Sequence, residues 1–316
     1  MSPATVDPAA PFFIVLNAGS GHDDADDARA TIERVLTQAG RAHTVHLVDK
    51  PARLHDIARD TVAAARACGA VVVAAGGDGT INAVAQATYG SGCIFGVLPQ
   101  GTFNYFSRTH GIPVDTEAAT QLLLGARAHP VQVGLINERL FLVNASIGLY
   151  PQLLEDREAY KKQFGRSRPV AMLAALVTLL RQHRQLRLQI QQADLTRQMR
   201  TPTLFIGNNL LQLQQIGIVE ASALEQNQLV AVALRPVGTL AMLWLLARGA
   251  LGSLGAADDV LSFAFQSITV QPGKRVQRVK VATDGEVLWL DTPIRFRVGP
   301  QPLFLLKPEP GSEIVA

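Results

Sequence analysis

Three glycine-bearing turns in the first third of the chain have the composition of a phosphate-binding site. Each follows a short apolar run, and they read Asn17-Ala18-Gly19-Ser20-Gly21, Gly76-Gly77-Asp78-Gly79-Thr80 and Pro99-Gln100-Gly101-Thr102-Phe103-Asn104. Glycine lets the backbone approach a ligand closely, and a helix that starts at such a turn offers free N–H groups and a positive dipole end. The alternative is a tight strand-to-helix turn without a ligand. The second turn matches neither the dinucleotide-binding fingerprint nor the Walker loop.

The elements around these turns predict an α/β domain with a parallel sheet. Apolar runs alternate with amphipathic segments, which requires right-handed crossovers between parallel strands. The predicted strands are 12–16, 44–48, 70–75 and 93–98, and the predicted helices are 23–38, 52–68 and 80–89. Ligands of such sheets bind beyond the carboxyl ends of the strands, so the three turns should converge on one crevice.

The pattern changes near Pro130, after which alternating stretches predict a mainly antiparallel, β-sandwich-like domain. The predicted strands are 131–133, 140–145, 186–190, 204–207, 229–234, 267–270, 279–282 and 294–298, with helices around 170–181 and 237–251. We therefore divide the chain into an α/β domain, 1–134, and a β-rich domain, 135–316. The sequence leaves open whether the last strand belongs to the β-rich domain or returns to the first domain.

A late acidic turn, Asp284-Gly285-Glu286, follows the predicted strand 279–282. Aspartate followed by glycine after a strand is the usual signature of a hairpin turn, and spacing alone favours that interpretation. A carboxylate at the phosphate-binding edge could instead accept a proton from a hydroxyl group. Spacing leaves both interpretations open.

Composition excludes several classes of protein. Hydrophobic residues make up 48% and charged residues 17% of the 316 residues, which is too apolar for a disordered chain. The net charge of +3 excludes a histone-like protein, and Cys68 and Cys93 alone exclude a disulfide scaffold or a zinc ribbon. We find no secretory signal and no transmembrane segment, and we expect a cytoplasmic protein.

Two basic patches leave a choice between a solvated surface and a membrane contact. Between Arg157 and Arg200 there are ten lysines and arginines against Glu158 and Asp194, and a second cluster spans Lys274–Lys280. Such patches are either solvated faces or contacts with anionic lipid headgroups. Nucleic acid is disfavoured as a partner because the patches lack interleaved aromatic residues and any known reader motif.

The ordered set of four motifs resembles the diacylglycerol kinase catalytic-domain family, which includes bacterial soluble lipid kinases and the sphingosine and ceramide kinases. The motifs are Asn17-x-Gly19-Ser20-Gly21, Gly76-Gly77-Asp78-Gly79-Thr80, Pro99-x-Gly101-Thr102-x-Asn104 and Asp284-Gly285-Glu286, and the resemblance runs over roughly residues 11–307. It implies a nucleotide-binding α/β domain, a β-rich lipid-substrate domain and a nucleotide cleft between them. It also implies an enzyme of phospholipid biosynthesis that uses ATP and Mg2+ to phosphorylate a lipid hydroxyl at the membrane surface.

The resemblance also implies roles for individual residues. Gly76, Gly77, Gly79 and Thr80 would hold the ATP phosphates, and the nucleotide pocket would be lined by Asn17, Ser20, Gly21, Gly101, Thr102 and Asn104. Asp284 would be the general base with Glu286 close by, and Asp78 would be the remaining acid near a metal. Tyr105, Gln132 and Gln226 stand where many family members carry carboxylates.

Two rival functions follow from the same residues. An NAD-kinase-like enzyme shares the Gly76–Thr80 element, but the first and last motifs fit the lipid kinases better. A nucleotide- or lipid-binding regulator with weak catalysis is suggested by the three missing carboxylates.

Overall fold

The computed structural model describes residues 7–18, 22–155, 185–192, 195–273 and 275–309. Ser20, Gly21 and the predicted helix 170–181 lie outside the described residues. The chain divides into two compact units, one made of residues 1–133 and 300–316 and the other of residues 134–299.

The N-terminal unit is built on a six-stranded, mostly parallel sheet. Its strands are β1 (Phe12–Asn17), β2 (His43–Val48), β3 (Val71–Gly76), β4 (Phe95–Pro99), β5 (Arg127–Val131) and β18 (Leu303–Lys307). Their order is β2-β1-β3-β4-β18-β5, and every neighbouring pair is parallel except β18–β5. All six residues of β3 are buried, as expected of a central strand that is covered on both faces.

Five helices belong to this unit. They are α1 (His22–Gln38), α2 (Leu54–Cys68), α3 (Asp78–Thr88), α4 (Tyr105–Thr109) and α5 (Thr116–Gly125), with a 3-10 turn at Pro51–Arg53. Local sequence sets their ends. Gly69, whose φ of 70° suits glycine, follows the last residue of α2, and Asp115, whose side chain accepts the N–H of Ala118, precedes the first residue of α5.

The C-terminal unit consists of two six-stranded antiparallel sheets packed face to face. The first has the order β10-β9-β14-β17-β6-β7 and the second β13-β12-β11-β8-β15-β16. The strands are β6 (Gly134–Ile136), β7 (Arg139–Phe141), β8 (Asn144–Gly148), β9 (Leu186–Gln192), β10 (Leu195–Thr201), β11 (Thr203–Gly207), β12 (Leu229–Leu234), β13 (Val260–Phe265), β14 (Ser267–Pro272), β15 (Arg278–Thr283), β16 (Glu286–Asp291) and β17 (Ile294–Val298). One apolar core takes residues from both sheets, among them Phe141, Ile190, Ile206 and Phe296. The predicted fold class, an α/β unit followed by an antiparallel β-sandwich-like unit, is confirmed.

Short helical segments complete this unit. They are α6 (Leu210–Gln215), α7 (Thr239–Ala250) and 3-10 turns at Val219–Gln226 and Leu254–Ala256, and residues 149–155 are also helical. Within the described parts of the chain, no helix is both long enough and apolar enough to span a bilayer.

Two predicted strands are wrong in their assignment. The stretch 131–133 is not the first strand of the β-rich unit, because its β-structure ends at Val131, which pairs with Leu303 of β18 in the N-terminal sheet. The stretch 140–145 is not one strand, since the chain leaves β7 after Phe141 and re-enters β8 at Asn144. Alternation in so short a segment identifies extended backbone but not the sheet it joins.

Candidate functional site

The register of the parallel sheet brings the ends of β1, β3 and β4 to one edge. Leu16, Ala75 and Leu98 lie in one row across these strands, and the next row begins with Gly76 paired to Pro99. Because all three strands run in the same direction, their carboxyl ends lie side by side, where such sheets bind ligands.

A side-chain hydrogen bond joins the first turn to the second. Asn17 Nδ2 donates to Thr80 Oγ1 over 2.8 Å, so the end of β1 is tied to the first turn of α3. Thr80 in turn fills the space above Gly76, where a Cβ atom would lie only 2.8 Å from Thr80 Cβ. Gly76 is therefore required for packing against Thr80.

The second and third turns touch through their backbones. A Cβ on Gly101 would lie 3.0 Å from the Cα of Gly77 and 2.8 Å from Asn104 Oδ1. Asn104 locks the third turn internally: its Oδ1 accepts the N–H of Gly101 over 3.0 Å, and its Nδ2 donates to the Gly101 carbonyl over 2.7 Å. Asn104 has φ 47° and is only 2% exposed, so it shapes the turn.

The structure starts α3 at Asp78, two residues before the predicted start. Gly77 is its N-terminal flanking residue, and the first helical hydrogen bond runs from the Ile81 N–H to the Gly77 carbonyl over 3.0 Å. The N–H groups of Asp78, Gly79 and Thr80 therefore have no carbonyl partner within the helix. This helix end presents backbone donors and a partial positive charge, which suits a phosphate.

Asp78 connects this helix end to the next one. Its carboxylate accepts the backbone N–H groups of Asn104 and Tyr105, at the start of α4. Burial raises the pKa of Asp78 above its usual value, and these two backbone donors oppose that rise. Its Oδ1 atom is buried and has no hydrogen-bond partner among the described residues.

The resemblance implies a Mg2+ ion, and Asp78 is the acidic residue expected to lie near it. No group of three or more potential metal-ligating side chains occurs among the described residues, so the protein offers no complete cage there. Mg2+ bound with ATP needs only one or two carboxylates, because phosphates and water complete its octahedron. The unpartnered Oδ1 of Asp78 could supply one such ligand, so the residues present fit a metal carried by the nucleotide.

An aromatic pair beside the third turn was not predicted from the sequence. The rings of Phe103 and Tyr105 are parallel within 3° with centroids 6.0 Å apart, and Phe103 is exposed. Thr102 is also exposed. The sequence signal that could have identified this pair is the presence of an aromatic residue on each side of Asn104. Exposed rings next to a phosphate site can hold a nucleotide base.

Two titratable groups, His110 and Lys307, lie near the end of α4. The ring of His110 packs edge-on against Phe106 at 4.7 Å, and burial together with Lys307 lowers the pKa of His110 to about 3. Burial also lowers the pKa of Lys307. His110 is therefore neutral at physiological pH.

In the C-terminal unit, Asp284 lies in the two-residue turn between β15 and β16. Thr283 pairs with Glu286 across this hairpin, and Asp284 and Gly285 both have positive φ, 46° and 89°. The hairpin interpretation of this motif is therefore correct as local structure. Glu286 is exposed on the second strand of the hairpin.

The Asp284 carboxylate nevertheless accepts more backbone hydrogen bonds than a simple hairpin turn requires. Oδ2 accepts the N–H of Leu142 over 2.6 Å, and Oδ1 accepts the N–H groups of Val143 and Asn144 over 2.9 Å each. Three consecutive backbone donors form an anion-binding nest and stabilise the ionised form. The 142–144 segment, which interrupts the predicted strand, was missed because nothing in its apolar sequence marks such a nest.

The structure thus brings together Asn17, Gly76–Thr80, Gly101 and Asn104 within the N-terminal unit, whereas Asp284 and Glu286 belong to the C-terminal unit. Ser20 and Gly21 lie outside the described residues. The nucleotide-binding and catalytic roles of all these residues remain predictions.

Comparison with known proteins identifies relatives of this chain. The diacylglycerol kinase catalytic domain family matches residues 11–136. A protein of Cronobacter sakazakii named "Probable lipid kinase YegS-like" is 33% identical over 140 residues, which are 43% of this chain and 45% of that protein. The Bacillus subtilis protein named "Diacylglycerol kinase" is 32% identical over 146 residues, 45% of this chain and 47% of that protein. The matches span less than half the length of these relatives.

A solved structure extends the likeness of fold to both units. A diacylglycerol kinase from Bacillus anthracis superimposes with a TM-score of 0.66 over 94% of this chain and 97% of that chain, at 16% sequence identity. At this identity the likeness concerns the fold alone.

Proposed function

We propose, on the premise that residues 11–136 belong to the diacylglycerol kinase catalytic domain family, that this chain is a lipid kinase. It transfers the γ-phosphate of ATP to the hydroxyl group of diacylglycerol or a related lipid alcohol. The observation that carries the proposal is the meeting of two glycine-bearing turns and the end of β1 at the N-terminus of α3, where Asn17 is bonded to Thr80 and Asp78 to the start of α4.

In this proposal the backbone at the start of α3 binds the phosphates of ATP. The N–H groups of Asp78, Gly79 and Thr80 donate to phosphate oxygens, and Gly77, which has no side chain, leaves room for them. Thr102 and the exposed ring of Phe103 lie beside the same turns and are available to the rest of the nucleotide.

Asp284 is the proposed general base. Its carboxylate takes the proton of the lipid hydroxyl while the hydroxyl oxygen forms a bond to the γ-phosphorus and the bond to ADP breaks, which leaves ADP and the phosphorylated lipid. Mg2+ bound with ATP would neutralise charge on the phosphates, and Asp78 would hold it from the protein side. The N–H groups of residues 142–144 fix the orientation of the Asp284 carboxylate.

The lipid substrate requires contact with a membrane surface, and we propose that α7 makes it. Leu240, Trp244 and Leu251 are 83%, 62% and 79% exposed, and their spacing places them along one side of the helix. Exposed leucine and tryptophan on one helix face are typical of a helix that lies in the lipid interface. Cosedimentation with phosphatidylcholine vesicles should fall when Leu240 and Trp244 are both changed to serine.

A nucleotide-binding regulator without turnover is the second candidate, and one observation favours it. The Asp284 carboxylate accepts three backbone hydrogen bonds that also connect β7, β8 and the β15–β16 turn, which is sufficient reason for an aspartate there. In that case the nucleotide would bind at the α3 N-terminus and no phosphate would be transferred.

The deciding experiment is a transfer assay with γ-labelled ATP, Mg2+ and mixed micelles of diacylglycerol, ceramide, sphingosine and monoacylglycerol, with NAD as an added acceptor. Label in one lipid is the expected result and names the substrate class. Label in NAD alone would make the protein an NAD kinase. Binding of ATP with no label in any acceptor would favour the regulator.

A further inference from the structure

A cavity of about 670 Å3 lies in the C-terminal unit, on the sheet that contains β9, β10 and β14. Three arginines and three glutamines line it together with smaller and apolar residues: Arg187, Leu188, Gln189, Gln198, Met199, Arg200, Gln271, Gly273 and Arg275. No acidic residue is among the described residues of this lining. The size is that of a pocket for a small molecule or a headgroup.

Strand register explains how these side chains come together. Arg187 of β9 is directly opposite Arg200 of β10, and Gln189 is opposite both Gln198 of β10 and Gln271 of β14. Leu188 and Ile190, which alternate with these residues on β9, point into the core, so the arginines and glutamines share the outer face.

The loop after β14 completes the cavity. Gln271 Nε2 donates to the Gly273 carbonyl over 3.0 Å, and the Gly273 N–H donates to the Arg187 carbonyl over 2.9 Å. These bonds fix Gly273, which follows β14, to Gln271 and to β9. Gly273 itself has a φ of 66°, a left-handed conformation that suits glycine.

The three arginines of this cavity have no acidic partner among the residues that the structure describes. Arg297 pairs with Glu138 and Arg278 with Asp291, whereas Arg187, Arg200 and Arg275 form no ion pair with any residue that the structure describes. Like charges directly opposite each other in an antiparallel pair are destabilising. An anion between them would remove this repulsion.

We propose that this cavity is a binding site for a phosphate-bearing anion, built entirely from the C-terminal unit and additional to the proposed nucleotide site. Guanidinium groups form paired hydrogen bonds with phosphate oxygens, and arginine keeps its charge throughout the physiological range. The glutamine amides of positions 189 and 198 add neutral donors. The same chemistry fits a phospholipid headgroup and a soluble phosphate ester.

The first test is thermal unfolding of the full chain in sodium phosphate and in sodium chloride at matched ionic strength. The double variant R187Q/R200Q removes the opposed charges, and R197Q is the matched control, since Arg197 lies on β10 opposite core-facing Ile190 and does not line this cavity. We expect phosphate to raise the Tm of the wild type and R197Q more than that of R187Q/R200Q. Without phosphate, the double variant should be at least as stable as the wild type.

The second test separates the two sources of the anion. If the ligand is a lipid headgroup, affinity for vesicles of phosphatidylglycerol and phosphatidylcholine should fall about five-fold for each arginine removed from the cavity. R197Q should then bind these vesicles as the wild type does. A similar loss in calorimetric titration with glycerol 3-phosphate would identify a soluble ester. If the double variant binds both probes and responds to phosphate as R197Q does, the site does not exist.

Failure of this proposal is distinguishable from failure of the proposed function. The cavity contains none of the residues assigned to ATP or to proton transfer, so ATP affinity of R187Q/R200Q should equal that of the wild type. Any phosphate that binds at the N-terminus of α3 raises the Tm of all variants equally and cancels in the comparison.

Discussion

Asp284 and Asn144 bind each other through two hydrogen bonds in opposite directions. The N–H of Asn144 donates to the Asp284 carboxylate over 2.9 Å, and the N–H of Asp284 donates to the Asn144 carbonyl over 3.0 Å. The turn that carries the proposed base is thereby fixed to the start of β8. Changes at Asp284 must therefore be assessed for both chemistry and stability.

Asp284→Asn should lower turnover by about 10²- to 10⁴-fold and leave ATP affinity nearly unchanged, because a positioned base has that effect on rate. The amide also places an NH2 group against a backbone donor, so Tm should fall as well. Turnover, ATP affinity and Tm should be measured at a temperature where the variant is folded, with Asp291→Asn, exposed at the far end of β16, as control. A loss of less than ten-fold would remove Asp284 from the base role.

Two neighbouring glycines should respond differently to the same substitution. A Cβ on Gly77 would meet only the Cα of Gly101 at 3.5 Å, an ordinary contact, so Gly77→Ala should fold and weaken ATP binding. A Cβ on Gly76 would collide with Thr80, so Gly76→Ala should lower Tm. Unchanged ATP affinity in a folded Gly77→Ala protein would argue against the phosphate-binding role of this turn.

Thr80→Val should destabilise the N-terminal unit by about 1 kcal/mol, since it keeps the shape of the side chain but removes the acceptor for Asn17 Nδ2. The measurement is a double-mutant cycle with Asn17→Ala in urea unfolding. Additive effects of the two changes would mean that the hydrogen bond does not contribute to stability.

The stability of the protein should decrease as pH falls below about 6.5 in part because of His110. The unfolded chain binds a proton at this histidine near the ordinary pKa of the side chain, whereas burial lowers the pKa in the folded chain to about 3. Between these two values the unfolded state binds more protons than the folded state. The free energy of unfolding therefore falls as pH falls, by at most about 1.4 kcal/mol per pH unit from this group.

His110→Phe should keep the contact with Phe106 and flatten this dependence. Urea unfolding of both proteins at pH 7.5, 6.0 and 5.0 measures it. Identical slopes in the two proteins would show that His110 is protonated as readily in the folded state as in the unfolded one.

The local elements of the parallel sheet could be predicted from the sequence because they depend on nearby residues. The predicted bounds of β1, β3 and β4 are within two residues of the observed ones, since each is an apolar run that stops at a glycine-bearing turn. The parallel arrangement also predicted that the second and third turns lie together, as Gly77 and Gly101 do. Strand β10 was not predicted because it is mostly polar and exposed and so lacks an apolar pattern.

Long-range pairing could not be predicted in the same way. The assignment of β5 to the N-terminal sheet depends on β18, which reaches it from the far end of the chain. The register that places Arg187 opposite Arg200 likewise depends on the pairing of β9 with β10, and no local pattern encodes it.

The sequence by itself determined the fold class, the glycine-bearing turns and the hairpin at Asp284, because backbone freedom and apolar periodicity are local properties. Only the tertiary structure decided that Asn104 shapes its own turn, that Asp78 spans two helix starts and that Asp284 is held by three N–H groups of residues 142–144. Hydrogen-bond partners of this kind are fixed by how the turns and strands pack against one another.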